Sequence, residues 1–88
     1  MAWRIEFTRT AEKDIRKLSR ETQASILKYL RERIHPAANA RQVGKMLHGE
    51  KQGLWRYRVG DYRIICDIRD QDLEVRVLAI GHRKEVYR

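Results

Sequence analysis

Three runs in the second half of the chain alternate apolar with polar residues: LWRYRV (54–59), YRIICDIR (62–69) and LEVRVLAI (73–80). Only Gly60-Asp61 separates the first two, and Asp70-Gln71-Asp72 the last two. Links that short close antiparallel hairpins and cannot make the long crossover that parallel strands require. The runs predict a three-stranded antiparallel meander, and the first half of the chain must cover one of its faces.

That half supplies a strand and two helices. AWRIEF (2–7) is rich in β-formers. In TRTAEKDIRKL, Ala11, Ile15 and Leu18 recur at helical spacing, with Thr8 or Thr10 available as N-cap. Ser19 or Thr22 caps a second helix with the apolar stripe Ile26, Leu27, Leu30 and Ile34. Pro36 ends it, because His35 ahead of a proline is disfavoured in the helical region. Residues 37–53 form a long, polar connection with three glycines, of a length that is often functional or mobile, with room for one short turn around Val43 to Leu47. The order β-α-α-β-β-β predicts an α+β fold over residues 1–88: a small antiparallel sheet with an N-terminal helical hairpin packed on one face.

A chain of 88 residues holds one core and no second domain. Its net charge of +8 favours an anionic partner: nucleic acid, an acidic protein or a membrane surface. Basic residues recur through both halves among acids, unlike a disordered nucleic-acid arm. No stretch approaches the roughly 20 apolar residues of a membrane span, and the N-terminus lacks the apolar core of a secretory signal. The lone Cys66 fits a reducing cytosol and reads as a small core residue rather than a nucleophile. His35, His48 and His82 have no metal-ligand spacing, and no metal or other cofactor is expected.

Strand parity then sorts the charges. Burying Trp55, Tyr57 and Val59 exposes Arg56 and Arg58 on the other face; burying Tyr62, Ile64, Cys66 and Ile68 puts Arg63 and Asp67 there too. The tight turn makes Arg56, Arg58 and Arg63 neighbours on a face the helices leave uncovered. Single strand arginines are ordinary decoration, but three together repel one another unless an anion fills the space between them. The last strand is ambiguous, since Val75 and Val77 alternate with Leu78 and Ile80 and both faces look apolar. After Gly81, His82 and Arg83 are free to point either way.

GLWRYRVGDYRIICDI together with VLAIGHRKEVYR resembles the RelE family of bacterial and archaeal toxins, in the wider RelE/ParE superfamily, and the likeness spans the chain. The resemblance implies a toxin of a type II toxin–antitoxin system: a ribosome-dependent messenger-RNA interferase that enters the A site, cuts the codon there and is silenced by a RelB-like antitoxin. It implies a metal-independent, cytoplasmic enzyme in which Arg56 and Arg58 are the basic residues of the second strand. Arg63 opens the third strand, Arg83 follows the glycine at the end of the fourth, and Tyr87 is the C-terminal tyrosine. The catalytic set expected is Arg63, Arg83, Tyr87 and Arg58 together with His82, which enters on its chemistry and not on the resemblance, since some relatives have lysine there; Arg56, Lys84 and Arg88 would hold RNA. Arg63 and Arg83 would take the scissile phosphate, Tyr87 would stack on a base, and His82 would be base or acid, or else bind phosphate or support the turn. Asp67, the best-placed carboxylate, would pair with a neighbouring arginine. The alternatives are a ParE-like inhibitor of DNA gyrase and a ribosome- or RNA-binding protein without catalysis.

Overall fold

The computed structural model describes residues 2–49 and 53–83. Strand β1 (Arg4–Phe7) leads into helices α1 (Arg9–Arg16) and α2 (Arg20–Tyr29); β2 (Lys45–Met46), β3 (Trp55–Val59), β4 (Tyr62–Arg69) and β5 (Glu74–His82) follow. The hydroxyls of Thr8 and Ser19 cap the two helices, accepting from the amides of Ala11 and Thr22. Ala11, Ile15, Ile26, Leu30 and Ile34 pack against the inner sheet residues Tyr57, Ile64, Cys66, Ile68, Val75, Val77 and Ile80. Cys66 is fully buried, and burial pushes its thiol far above its usual range, which suits a packing residue. Among the described residues no helix is long and apolar enough to cross a membrane.

The meander forms as its short links require, but the sheet is not wholly antiparallel. Its order is β1-β5-β4-β3-β2, and β1 runs parallel to β5. The helical hairpin and the meander together supply the long connection that parallel neighbours need. The strand pair β2–β3 is also unforeseen; it lies inside the polar connection expected to hold only a turn.

That connection is tied down. Tyr57 Oη donates to the Ala40 carbonyl (2.6 Å), Trp55 Nε1 to the Val43 carbonyl (2.8 Å) and Arg41 Nη1 to Asp70 (2.8 Å). Gly44 sits at φ +88°, where a Cβ would overlap the Arg56 carbonyl oxygen and come within 2.5 Å of Trp55 Nε1. The backbone thus passes flush against β3 before pairing as β2.

Two further expectations fail. His35 keeps helical angles (φ −51°, ψ −48°) despite Pro36. The helix widens into a π turn over Leu30–Ile34, so the His35 amide donates to the Leu30 carbonyl (2.9 Å). Trp3 clamps it in place: the Trp3 amide donates to the His35 carbonyl (2.9 Å), and His35 Nδ1 donates to the Trp3 carbonyl (2.7 Å). Leu27, expected in the buried stripe, is 44% exposed and lines a groove with Trp3, Ile5, Phe7 and Leu30. The change of helical pitch that follows it buries Leu30 and Ile34 and leaves Leu27 outside.

Candidate nucleic-acid interface

The uncovered face of the sheet is set by register. Residues directly opposite on paired strands share a face, so the pairs Arg58↔Arg63, Arg56↔Ile65 and Lys45↔Arg56 place those cations together. The ambiguity of β5 is resolved by a bulge. Ile65 pairs with Ala79 but Cys66 with Val77, so Leu78 is an extra residue and parity flips across it. Before the bulge Val75 and Val77 face the helices; after it Ile80 does, with Ala79 and Gly81 turned to the open face.

This flip separates two of the expected site residues. His82 pairs with Tyr62 and therefore lies on the helix side, where the two rings meet edge-on with centroids 5.9 Å apart. Arg83 follows the strand, its amide donating to the Asp61 carbonyl (2.9 Å), and by the same alternation it falls on the open-face side, two residues beyond Gly81, the partner of Arg63. Lys84, Tyr87 and Arg88 lie outside the described residues.

Beyond Phe7, β5 has lost β1 as a neighbour, and α1 takes over its outer edge. Thr8 Oγ1 donates to the Leu78 carbonyl (3.1 Å), and the Asp14 carboxylate accepts from the Ile80 amide (2.9 Å). These bonds satisfy the bulged strand just ahead of Gly81 and Arg83. The sequence carried a signal for this, since Asp14 stands within the Ala11, Ile15 and Leu18 stripe, where an acid needs a partner.

The open face divides into two halves. In one, Arg4, Arg76 and Arg69 stand among Glu6, Glu74 and Asp67. Glu74, only 5% exposed, binds Arg4 (3.3 Å) and Arg76 (2.7 Å), and Asp67 lies 4.0 Å from Arg69. Asp67 thus pairs with a neighbouring arginine, as expected of it. In the other half Arg56, Arg58, Arg63, Lys45 and Arg83 occupy the face, and no strand position there carries an acid; Asp61 stands in the hairpin turn. Between the halves lie Ile65 and Leu47, 3% and 8% exposed, outside the main core, together with Ala79.

Arg63 is the centre of the cationic half. It is 8% exposed, and its Nε and Nη1 are buried without a hydrogen-bond partner. A buried charge without a counter-ion costs several kcal/mol, and a guanidinium presents donors that match two oxygens of one phosphate. An oxyanion would satisfy those two donors. Among the described residues no group of His, Cys, Asp or Glu is clustered to hold a metal ion.

Comparison with known proteins places the chain in a family. Residues 5–87 match the family model described as ParE toxin of type II toxin–antitoxin system, parDE. Toxin RelG of Mycobacterium tuberculosis is 31% identical over 88 residues, spanning 100% of this chain and 99% of that protein. The chain belongs to the RelE/ParE superfamily of type II toxins. Toxin RelE of the same organism is 29% identical to the toxin described here over 98% of the chain and 87% of its own length. Among solved structures, the toxin–antitoxin complex RelBE2 of M. tuberculosis contains a chain that superposes on this toxin with TM-score 0.85, at 28% identity, over 97% of this chain and 95% of that one. The isolated E. coli RelE toxin shares the fold (TM-score 0.72, 20% identity, 92% and 84% covered). A relative from Pyrococcus horikoshii was solved with RelB.

Sequence reasoning assembled Arg56, Arg58 and Arg63 correctly on one face. It missed Lys45, because a two-residue strand leaves no period to read, and it left β5 undecided, because a bulge is invisible in an apolar run.

Proposed function

We propose that this toxin is a ribosome-dependent endoribonuclease that cuts messenger RNA in the A site and so stops translation in the cytoplasm. The observation that carries the reading is Arg63: a buried guanidinium with unused donors, paired across the strands with Arg58, where no described strand position on that half of the face carries an acid. Membership of the RelE/ParE superfamily supports it.

In the proposed reaction a ribose 2′-oxygen attacks the adjacent phosphorus and the bond to the 5′-oxygen of the next nucleotide breaks. This leaves a 2′,3′-cyclic phosphate and a 5′-hydroxyl. The 2′ proton is lost to a base, and the departing oxygen takes up a proton. Arg63 and Arg83 hold the non-bridging oxygens as charge builds on the phosphorane, with Arg56 and Arg58 adding to the field. Tyr87 is assigned to stack on a base of the cut codon, and Lys84 and Arg88 to hold flanking phosphates. Alignment by the ribosome supplies much of the rest, since positioning alone is worth several orders of magnitude.

His82, turned towards Tyr62, is a support of the β4–β5 end in this reading and not a proton carrier. A general acid or base contributes about 10²–10⁴ in rate, so His82→Gln should retain cleavage to within about tenfold. A greater loss, with a pH profile that flattens near neutrality, would return the histidine to the chemistry. A RelB-like antitoxin is the proposed inhibitor, because M. tuberculosis, E. coli and P. horikoshii relatives are solved with RelB partners.

The decisive experiment is primer extension on a message incubated with the toxin, free and on ribosomes with an empty A site. Cuts within the A-site codon, on the ribosome only, are expected. Arg83→Ala should abolish them while still binding antitoxin. Because the matching family model is named for ParE, inhibition of DNA gyrase is the second reading. Intact messages together with gyrase inhibition would establish it instead.

A further inference from the structure

The cations of the open face do not form a ball around Arg63; they form a band that crosses the strands. One rung of the sheet carries Arg58, Arg63 and Gly81, and the next carries Lys45, Arg56, Ile65 and Ala79. From β5 to β2 is three strand spacings, about 14 Å. Arg83 marks one end of the band and Lys45 the other.

Three observations set Lys45 apart from an ordinary surface lysine. Its side is fixed, because its strand partner is Arg56, whose side chain faces away from the buried Tyr57. Its strand exists only because Gly44 lets the backbone lie against Arg56, Trp55 and Tyr57. The same face also shows what balanced charge looks like in this protein: the other half answers its three arginines with Glu6, Glu74 and Asp67. Among the described residues, the strand positions of the band holding Lys45 carry cations and no acid. Beside it, Ile65 and Leu47 are buried beneath the charged side chains and hold the rungs of the band in place.

We propose that Lys45 is a further RNA-binding residue. It holds a backbone phosphate remote from the cut, so the toxin takes a single strand laid across β5, β4, β3 and β2 rather than one isolated phosphate. This rests on the nuclease reading above. It gives Lys45 a role in affinity and none in the bond-breaking step. A point charge on a flexible stem suits that role, whereas the planar guanidinium of Arg63 suits the scissile phosphate. An acidic peptide is the less favoured occupant, since its carboxylates vary in spacing while a strand's phosphates recur regularly along a band of this length.

The test uses the full toxin and ribosomes programmed with a message whose A-site codon carries 2′-O-methyl groups, which cannot supply the nucleophile. Lys45→Gln should raise Kd several-fold and lower the slope of log Kd against log salt by about 0.7, the loss of one phosphate contact to a single strand. With unmodified message at saturating toxin, its single-turnover cleavage should stay within twofold of the wild type. Arg69→Gln, in the compensated half, should leave the salt slope unchanged. A Lys45 variant with wild-type Kd and slope overturns the inference and leaves the nuclease reading standing. A slowed cleavage step at saturation overturns it too, by placing Lys45 in the chemistry. So does weakened binding of the cognate antitoxin with ribosome affinity intact, which assigns the band to the acidic partner. Failure of the wild type to cut any message defeats the nuclease reading itself, and the inference with it.

Discussion

Replacing Arg63 with methionine should make the toxin more stable and nearly inactive. The side chain is 8% exposed, and its Nε and Nη1 have no hydrogen-bond partner, so the native state keeps charged donors out of water. Exchanging buried ionic groups for apolar residues of similar volume commonly gains about 1–4 kcal/mol, and each kcal/mol moves the Tm of a domain this size by about 4–8 °C. Cleavage on the ribosome should fall by about 10²–10³, the usual cost of one donor aimed at developing oxyanion charge. Arg63→Lys should fall between the two, keeping charge but losing the two-pronged grip. Thermal denaturation and A-site primer extension on the same preparations decide the matter. A variant that melts lower, or one that still cuts at the wild-type rate, removes Arg63 from the role assigned to it. The opposed signs are the useful part, because a merely misfolded variant would lose both stability and activity.

Gly44→Ala should destabilise the fold by about 2–4 kcal/mol, the largest single-methyl effect expected in the chain. Part of the cost is conformational, since φ +88° disfavours any residue with a Cβ by about 1–2 kcal/mol. The rest is steric, because the new methyl would meet the Arg56 carbonyl, Trp55 Nε1 and Tyr57 Cδ1 with no flexible neighbour to yield. Gly60→Ala is the matched control: φ is +59°, but nothing lies within 4 Å of the added carbon, so only the conformational part applies. Urea denaturation of both variants separates the two contributions. Equal shifts in midpoint would show that the tight passage of the backbone against β3 costs nothing and that β2 is not held there by necessity.

Much of this architecture was legible in the residues because local rules and tertiary structure agree. The turns at Gly60-Asp61 and Asp70–Asp72 bound the strands where alternation says they should, and Thr8 and Ser19 cap their helices. Alternation in β3 and β4 was enough to gather Arg56, Arg58 and Arg63. Non-local contacts decided what was not legible. The direction of β1 depends on the path of the whole chain between it and β5. His35 stays helical ahead of Pro36 because Trp3, 32 residues away, holds it from both its carbonyl and its ring. The side taken by His82 depends on one extra residue, Leu78, whose carbonyl is answered by Thr8 from another element. Within a run such as VRVLAI, no composition rule says where the count slips by one.

The placement of β5 between β1 and β4 bears on when this molecule can come into being. The strand that joins the sheet together is the last of the five in chain order, and it contributes Val75, Val77 and Ile80 to the core. Until it is synthesised, β1 has no ladder partner, and the interface that α1 packs on is missing. Contacts that link residues 4–7 to 74–77 also close slowly, because the whole chain between them must be gathered first. On the nuclease reading, the proposed site is therefore incomplete for almost the whole of translation and is assembled only as the final strand docks. An inhibitor made from the same message would have that interval in which to be waiting.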